Sequence, residues 1–132
     1  MHFLIDTDIL IYSLNNNKIV NDNFLLNKNS PKSISIVTYG ELIYGANKSK
    51  NIEKNLAKIH RIAELFPIIN ISVAIMETFG DLKATLEKAG TTLDDMDLLI
   101  ASTALTHNLI LVTNNEKHFK RVQGLKIVNW ST

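Results

Sequence analysis

Residues 3–12 read Phe-Leu-Ile-Asp-Thr-Asp-Ile-Leu-Ile-Tyr, and this stretch decides the class of fold. Three apolar residues are followed by Asp6, Thr7 and Asp8, after which apolar residues resume. A short apolar run bounded by polar residues is typical of a buried strand, and the apolar residues after it predict one or two turns of buried helix. We therefore predict a strand followed directly by a helix, with acidic side chains at their junction.

The same unit of strand and then helix recurs along the chain. The other predicted strands are residues 33–36, 68–71, 110–112 and 126–128. The other predicted helices are a short one around 24–26, one opened by Thr38 and ending at about Gly45, one over 51–66, one capped by Ser72 and stopped by Gly90, and a buried one through 98–105. Because parallel neighbours need crossover helices, this alternation predicts an α/β fold. We expect a central, mainly parallel sheet of about five strands, with helices on both faces.

Composition sets further bounds on the protein. The chain has 132 residues, of which 45% are hydrophobic and 20% charged, so residues 1–132 are predicted to form a single domain. There is no cysteine, so a metal here must be held by oxygen or imidazole. The net charge of +1 does not by itself indicate a nucleic-acid partner. No signal peptide or membrane-spanning run is visible, and we expect a cytoplasmic protein.

Three acidic residues stand near predicted strand ends or helix starts. Asp6 follows the first strand, Glu41 lies one helical turn past the second strand, and Asp97 begins the buried helix. Carboxylates brought together without basic partners repel one another unless a cation neutralises them. Magnesium prefers oxygen ligands, keeps several waters, and can activate a water for attack on a phosphodiester. The pattern is thus compatible with a metal site.

Helix capping explains the same residues separately. Asp6 or Asp8 can cap the first helix, since aspartate is a favoured N-cap. Thr38 and Glu41 form a capping-box pattern. Asp94, Asp95 and Asp97 can be a cap and first-turn acids that complement the dipole of the buried helix. Capping does not predict an acid at nearly every junction between a strand and a helix. On pattern alone, both interpretations stay open.

Four stretches in order resemble the successive motifs of VapC-type PIN domains. They are Phe-Leu-Ile-Asp-Thr-Asp-Ile-Leu-Ile-Tyr (3–12), Tyr-Gly-Glu-Leu-Ile-Tyr-Gly-Ala (39–46), Asp-Leu-Leu-Ile-Ala-Ser (97–102) and Leu-Val-Thr-Asn-Asn-Glu-Lys-His-Phe (111–119). The closing residues 122–130 are similar as well, and no large insertion interrupts the order. The resemblance implies a PIN fold, cleavage of RNA that depends on Mg²⁺ or Mn²⁺, and pairing with an antitoxin of the VapB kind. Homodimerisation is also implied.

The resemblance also assigns roles to single positions. Asp6, Glu41 and Asp97 match the family's first, second and third acids, with Asp6 and Asp97 as direct metal ligands. Glu41 would lie near the metal and act partly through water. Thr113 matches the small hydroxyl residue that closes the fourth strand beside the site.

The chain departs from the family pattern in two respects. Asn115 stands where many members have a fourth acid, and His118 occupies the alternative position for that acid, which leaves a second metal in doubt. Asp8 replaces a commoner asparagine, and we interpret it as a helix cap. Basic residues that follow the fourth strand are candidates for phosphate contacts, namely Lys117, His118, Lys120 and Arg121.

Two other functions are compatible with the sequence. Asp6 and Asp8 after an apolar strand imitate the nucleophile and acid of haloacid-dehalogenase-type phosphatases, although Leu10 departs from that pattern. A non-catalytic module that binds RNA or antitoxin would also tolerate an incomplete acid set.

Overall fold

The computed structural model describes residues 1–132 and contains five strands and seven helices. The strands are β1 (Phe3–Ile5), β2 (Lys32–Ser35), β3 (Ile68–Ile69), β4 (Ile110–Val112) and β5 (Ile127–Val128). The helices are α1 (Thr7–Leu14), α2 (Lys18–Leu26), α3 (Ile36–Asn47), α4 (Ile52–Leu65), α5 (Val73–Lys88), α6 (Asp95–Thr106) and α7 (Glu116–Phe119). The predicted alternation of strands and helices is confirmed.

All five strands are parallel and lie in the order β3-β2-β1-β4-β5. The central strand β1 pairs with β2 on one side and with β4 on the other, so that Leu4 is in register with both Ser33 and Leu111. The chain moves outward from β1 to β3 and then returns to the other side of β1. In open α/β sheets, the point where the order reverses is where ligands bind, beyond the carboxyl ends of the strands.

The sheet separates two hydrophobic cores. Along β1, Phe3 and Ile5 belong to one buried cluster and Leu4 to the other, because successive side chains of a strand point to opposite faces. The first cluster includes residues of α1, α3 and α4, and the second includes residues of α5 and α6. Helices therefore cover both faces, as predicted, and β1 is fixed at the centre of the domain.

The start of α3 differs from the sequence prediction. Helix α3 begins at Ile36, and its N-cap is Ser35, whose Oγ accepts a hydrogen bond of 3.0 Å from the Val37 N–H. The predicted capping box of Thr38 and Glu41 is therefore wrong, because Thr38 already lies inside the helix and is fully buried. The helix also continues past Gly45 to Asn47. Glu41 consequently has no capping role.

Other predicted helix ends are confirmed. Ser72 caps α5 by accepting from the Ile75 N–H at 3.2 Å, and Gly90 follows that helix with a left-handed φ of 74°. Asp94 caps α6 by accepting from the Met96 N–H at 3.2 Å. No helix is both long and apolar enough to cross a bilayer.

Candidate active site

Asp6 lies at the carboxyl end of β1, where it is both the N-cap of α1 and a buried carboxylate. Its Oδ1 accepts from the Thr7 N–H at 2.8 Å, and its Oδ2 accepts from the Thr113 hydroxyl at 2.8 Å. Thr113 is fully buried at the end of β4, and its Oγ1 accepts in turn from the Asn115 N–H at 2.9 Å. Two hydrogen bonds thus fix the orientation of Asp6.

Glu41 is oriented by a pair of threonine hydroxyls. The Thr7 hydroxyl donates to Glu41 Oε1 at 2.7 Å, and the Oγ1 atoms of Thr7 and Thr38 are 3.2 Å apart. Because a carboxylate only accepts, the single hydroxyl proton of Thr7 is directed to Glu41, and Thr38 must donate to Thr7. This relay connects the first turn of α1 to the partly exposed Glu41 on α3.

Asp97 lies in the first turn of α6 and is partly exposed. No basic side chain forms a salt bridge with Asp6, Asp8, Glu41 or Asp97, because the two salt bridges of the molecule are Lys18–Asp22 and Lys83–Asp95. These four acids, which we call the acidic edge, therefore have no ion-pair partner in the protein.

The pKa values of three of these acids show that they share one electrostatic environment. Burial, then the charge of Asp8 and, least, that of Asp97 raise the pKa of Asp6 from 3.8 to about 7, against the effect of its hydrogen bonds to Thr113 and Thr7. The pKa of Asp97 is raised by burial and by the charges of Asp94 and Glu41. Burial also raises the pKa of Asp8, and Asp97 and Glu41 add to the effect. The three predicted acids and Asp8 therefore influence one another electrostatically.

The donor set fits a hydrated hard cation. Every candidate ligand is a carboxylate or hydroxyl oxygen, and no three acidic or histidine side chains lie close enough together to hold a metal ion by themselves. Mg²⁺ is usually held by one or two carboxylates and several waters rather than by an all-protein cage. A divalent cation would also stabilise the charged forms of Asp6 and Asp97, whose pKa values are raised by burial first and by neighbouring acids second.

Asp8 does not cap α1, contrary to the prediction, because Asp6 occupies the N-cap position and Asp8 lies in the first turn. Its Oδ1 accepts from the Ile9 N–H at 2.7 Å, and its Oδ2 accepts from the Asn114 N–H at 3.2 Å. Asp8 therefore joins α1 to the loop that follows β4.

The predicted phosphate-binding residues lie on and just after α7. Lys117, His118 and Lys120 are exposed. The charge of His118 lowers the pKa of Asp97, although burial and the neighbouring acids raise it by more. The His118 imidazole therefore acts electrostatically on Asp97. Arg121 is exposed as well, but its Nη1 donates to the Thr92 carbonyl at 2.9 Å. Asn115 and His118 contact each other, with 2.9 Å between Nδ2 and Nδ1.

Sequence reasoning missed three residues that contact the acidic edge. Thr7 and Thr38 orient Glu41, and Asn114 binds Asp8. The position of Thr7 between two acids was an available signal. The contacts themselves join residues 34 and 106 positions apart, so they depend on how the elements pack.

The PIN domain family model matches residues 3–125. The chain belongs to the PIN-domain family. Among the curated relatives of this PIN domain, a ribonuclease VapC2 of Rickettsia felis is 39% identical over 132 residues, which are 98% of both chains. A tRNA(fMet)-specific endonuclease VapC of Shigella flexneri is 37% identical, with 99% of both chains covered. The resemblance to VapC-type PIN domains is thereby confirmed, and the phosphatase alternative is set aside.

Solved structures give the same result. VapBC2 from Rickettsia felis, bound to a DNA fragment from its promoter, matches with a TM-score of 0.92 and 37% identity over 98% of this chain and 99% of that one. DNA-bound VapBC from Salmonella typhimurium matches with a TM-score of 0.90 and 31% identity over 98% of both chains. The PIN fold predicted from the motifs is confirmed along nearly the whole chain.

Proposed function

We propose that this PIN domain is the ribonuclease toxin of a toxin–antitoxin pair and cuts RNA at the acidic edge with a divalent cation. The observation that carries the proposal is the set of four mutually repelling acids without an ion-pair partner at the point where the strand order reverses. Such a cluster costs folding free energy in the absence of a cation, which favours a functional role over a structural one.

Asp6 and Asp97 are the proposed metal ligands, and Glu41 acts beside the metal, partly through water. Mg²⁺, with Mn²⁺ as a substitute, would polarise the phosphodiester and lower the pKa of the attacking water. Thr113 and the Thr7 N–H hold the Asp6 carboxylate in one orientation, and the Thr7 hydroxyl holds Glu41. Asn115 has an amide where a fourth acid would stand, so we assign it no metal.

RNA is the proposed substrate, and tRNA or another structured RNA is the preferred class. Relatives that share the full length of this chain are named ribonucleases or tRNA(fMet)-specific endonucleases. The exposed basic residues on and after α7, of which His118 acts electrostatically on Asp97, are proposed to contact phosphates, namely Lys117, His118, Lys120 and Arg121. Phosphate contacts would position the RNA without reading its sequence.

A VapB-like antitoxin is the proposed protein partner, since several similar structures are VapBC complexes. A cleft of about 350 Å³ between α1, α3 and α4 is lined by both apolar and polar residues, and Glu41 is one of them. A neighbouring cleft of about 240 Å³ includes Phe24, Leu65 and Phe66. An amphipathic antitoxin segment seated in the first cleft would cover Glu41 and block the site.

The test uses purified protein without antitoxin, a panel of tRNAs and rRNA, and Mg²⁺. In the matched variant, Asp6→Asn, the amide oxygen can still cap α1, but the negative charge is removed. We expect the original chain to cut at least one RNA, EDTA to stop it, and Asp6→Asn to be inactive although folded. Equal cleavage by both forms would show that Asp6 serves only as a helix cap. RNA binding without cleavage by the original chain would instead favour the non-catalytic module.

Homodimerisation stays a prediction, and the same preparation tests it. Light scattering during gel filtration should give about twice the mass of one chain.

A further inference from the structure

Asn114 is the exposed residue between Thr113, which orients Asp6, and Asn115, whose N–H binds Thr113. It is attached to α1 at two points. Its backbone N–H donates to Asp8 Oδ2 at 3.2 Å, and its Nδ2 donates to the hydroxyl of Tyr12 at 3.2 Å. These two contacts fix the loop after β4 against the first helix.

The last residues of the chain hold Asn114 from the other side. Its Oδ1 accepts from the Ser131 hydroxyl at 2.8 Å and from Asn129 Nδ2 at 3.2 Å. Asn129 Nδ2 also donates to Glu116 Oε2 at 3.0 Å, at the start of α7. The Ser131 hydroxyl has a second acceptor, Asn129 Oδ1, at 2.6 Å, and its single proton serves one of the two at a time. The exposed amide of Asn114 is thus bound at both ends.

The segment Asn129 to Ser131, which we call the C-terminal brace, is anchored in the core by Trp130. This buried ring makes edge contacts with Phe3 and Phe24, each with 5.1 Å between ring centroids. Its carbonyl accepts from Asn23 Nδ2 at 2.9 Å. The brace is therefore a fixed support, because aromatic contacts of this kind add to the stability that burial alone provides.

We propose that Asn114 is a positioning residue of the nuclease site and that the C-terminal brace holds it in place. The inference rests on the proposed function. The brace and α1 fix Asn114, Asn114 fixes the turn that carries Thr113, and the Thr113 hydroxyl fixes Asp6 Oδ2. In this proposal Asn114 acts through Thr113 and Asp8 rather than on the substrate itself. Outer partners of metal ligands typically change metal affinity or activity by about 10- to 100-fold when they are removed.

The first test is Asn114→Ala, which removes the hydrogen bonds to Tyr12, Asn129 and Ser131 and keeps the backbone bond to Asp8. The control is Asn29→Ala, an exposed asparagine before β2 and so at the opposite edge of the parallel sheet. We expect kcat for RNA cleavage to fall about 10-fold or more in Asn114→Ala, with KM and Tm unchanged. In metal-free protein, hydrogen exchange at the Asn115 amide should accelerate, because its acceptor Thr113 Oγ1 is no longer fixed. The control should change neither readout.

A second pair of variants tests the brace itself. Ser131→Ala removes the hydroxyl bond to Asn114 and should lower kcat and accelerate exchange at the Asn115 amide. Ser131→Thr keeps a hydroxyl, so both kcat and slow exchange should be retained. Wild-type kcat in Asn114→Ala, or unchanged exchange at Asn115, would overturn the inference while leaving the proposed function intact. Absence of cleavage by the original chain would instead refute the proposed function, and the exchange measurement would still report on the loop.

Discussion

Asp6 is both the N-cap of α1 and a buried acid at the end of the central strand. The same carboxylate caps α1 through the Thr7 N–H and accepts the Thr113 hydroxyl, and it is also buried among other acids. Capping needs only an acceptor oxygen, which Asn would also provide, so it does not explain the charge. The raised pKa instead indicates that the anion is costly until a cation arrives.

The burial of Asp6 predicts a specific pH dependence of stability. Its pKa is 3.8 in the unfolded reference and about 7 in the folded protein, so the folded state binds more protons between these values. The free energy of unfolding of the metal-free protein should therefore fall as the pH rises from about 4 to about 7, by a few kcal/mol in order of magnitude. Urea unfolding in EDTA over this range measures it.

Two variants check the assignment of this slope. Asp6→Asn should remove much of it, although Asp8 and Asp97 contribute in the same direction, since their pKa values are raised as well. Asp81→Asn, on the exposed surface of α5, should keep the full slope. If the free energy of unfolding of the metal-free protein instead rose between these pH values, the claim that burial raises the pKa of Asp6 would be contradicted.

Thr7 provides a test of how Glu41 is oriented. Thr7→Val removes the hydroxyl that donates to Glu41 and preserves the shape of the side chain, whereas Thr7→Ser keeps the hydroxyl. We expect kcat to fall about 10- to 100-fold in Thr7→Val and to stay near the original value in Thr7→Ser. The rate of the chemical step is measured under single-turnover conditions, with the enzyme in excess over the RNA. Equal rates for the two variants would show that Glu41 does not need this donor.

At the scale of elements, the junctions between strands and helices were predictable because their patterns are local. A few neighbouring residues are enough to recognise the alternation at 33–36 and the caps Ser72 and Asp94. The start of α3 was predicted wrongly because Ser35 and Thr38 are both good N-caps three residues apart, and only Ser35 has the extended backbone of a cap. The Thr7–Glu41 contact depends on the packing of α1 against α3, which no local pattern describes.

Helix α7 is the element to which we assign binding of RNA phosphates. The double variant Lys117→Gln/Lys120→Gln should weaken binding to all RNAs alike and reduce the dependence of log affinity on log salt by about 0.7 for each lost phosphate contact. Binding is measured in EDTA, so that cleavage does not interfere. The control, Lys28→Gln/Lys126→Gln, changes two exposed lysines that precede β2 and β5 at the other edge of the sheet. An equal loss in both double variants would indicate general attraction by charge rather than a site on α7.

At the scale of the whole molecule, the parallel sheet explains why residues distant in sequence form one site. Asp6 and Thr113 follow adjacent strands, β1 and β4, and the start of α3 after β2 brings Glu41 to the same edge. The motifs that resemble the family predict these positions from the sequence alone. The support around them could not be predicted, since Asn114 is fixed by the far end of the chain.

The central claim is that the acidic edge is a cleavage site that requires a divalent cation, and two aspartates on α6 test it most directly. Asp97 belongs to the acidic edge, whereas Asp95, two residues earlier in the same helical turn, forms an exposed salt bridge with Lys83. The measurement is the rate of RNA cleavage as a function of Mg²⁺ concentration for the original chain, Asp97→Asn and Asp95→Asn. We predict saturable Mg²⁺-dependent cleavage by the original chain and by Asp95→Asn, and none by Asp97→Asn. Cleavage by Asp97→Asn at the original rate, or cleavage by the original chain that persists in EDTA, would contradict the account.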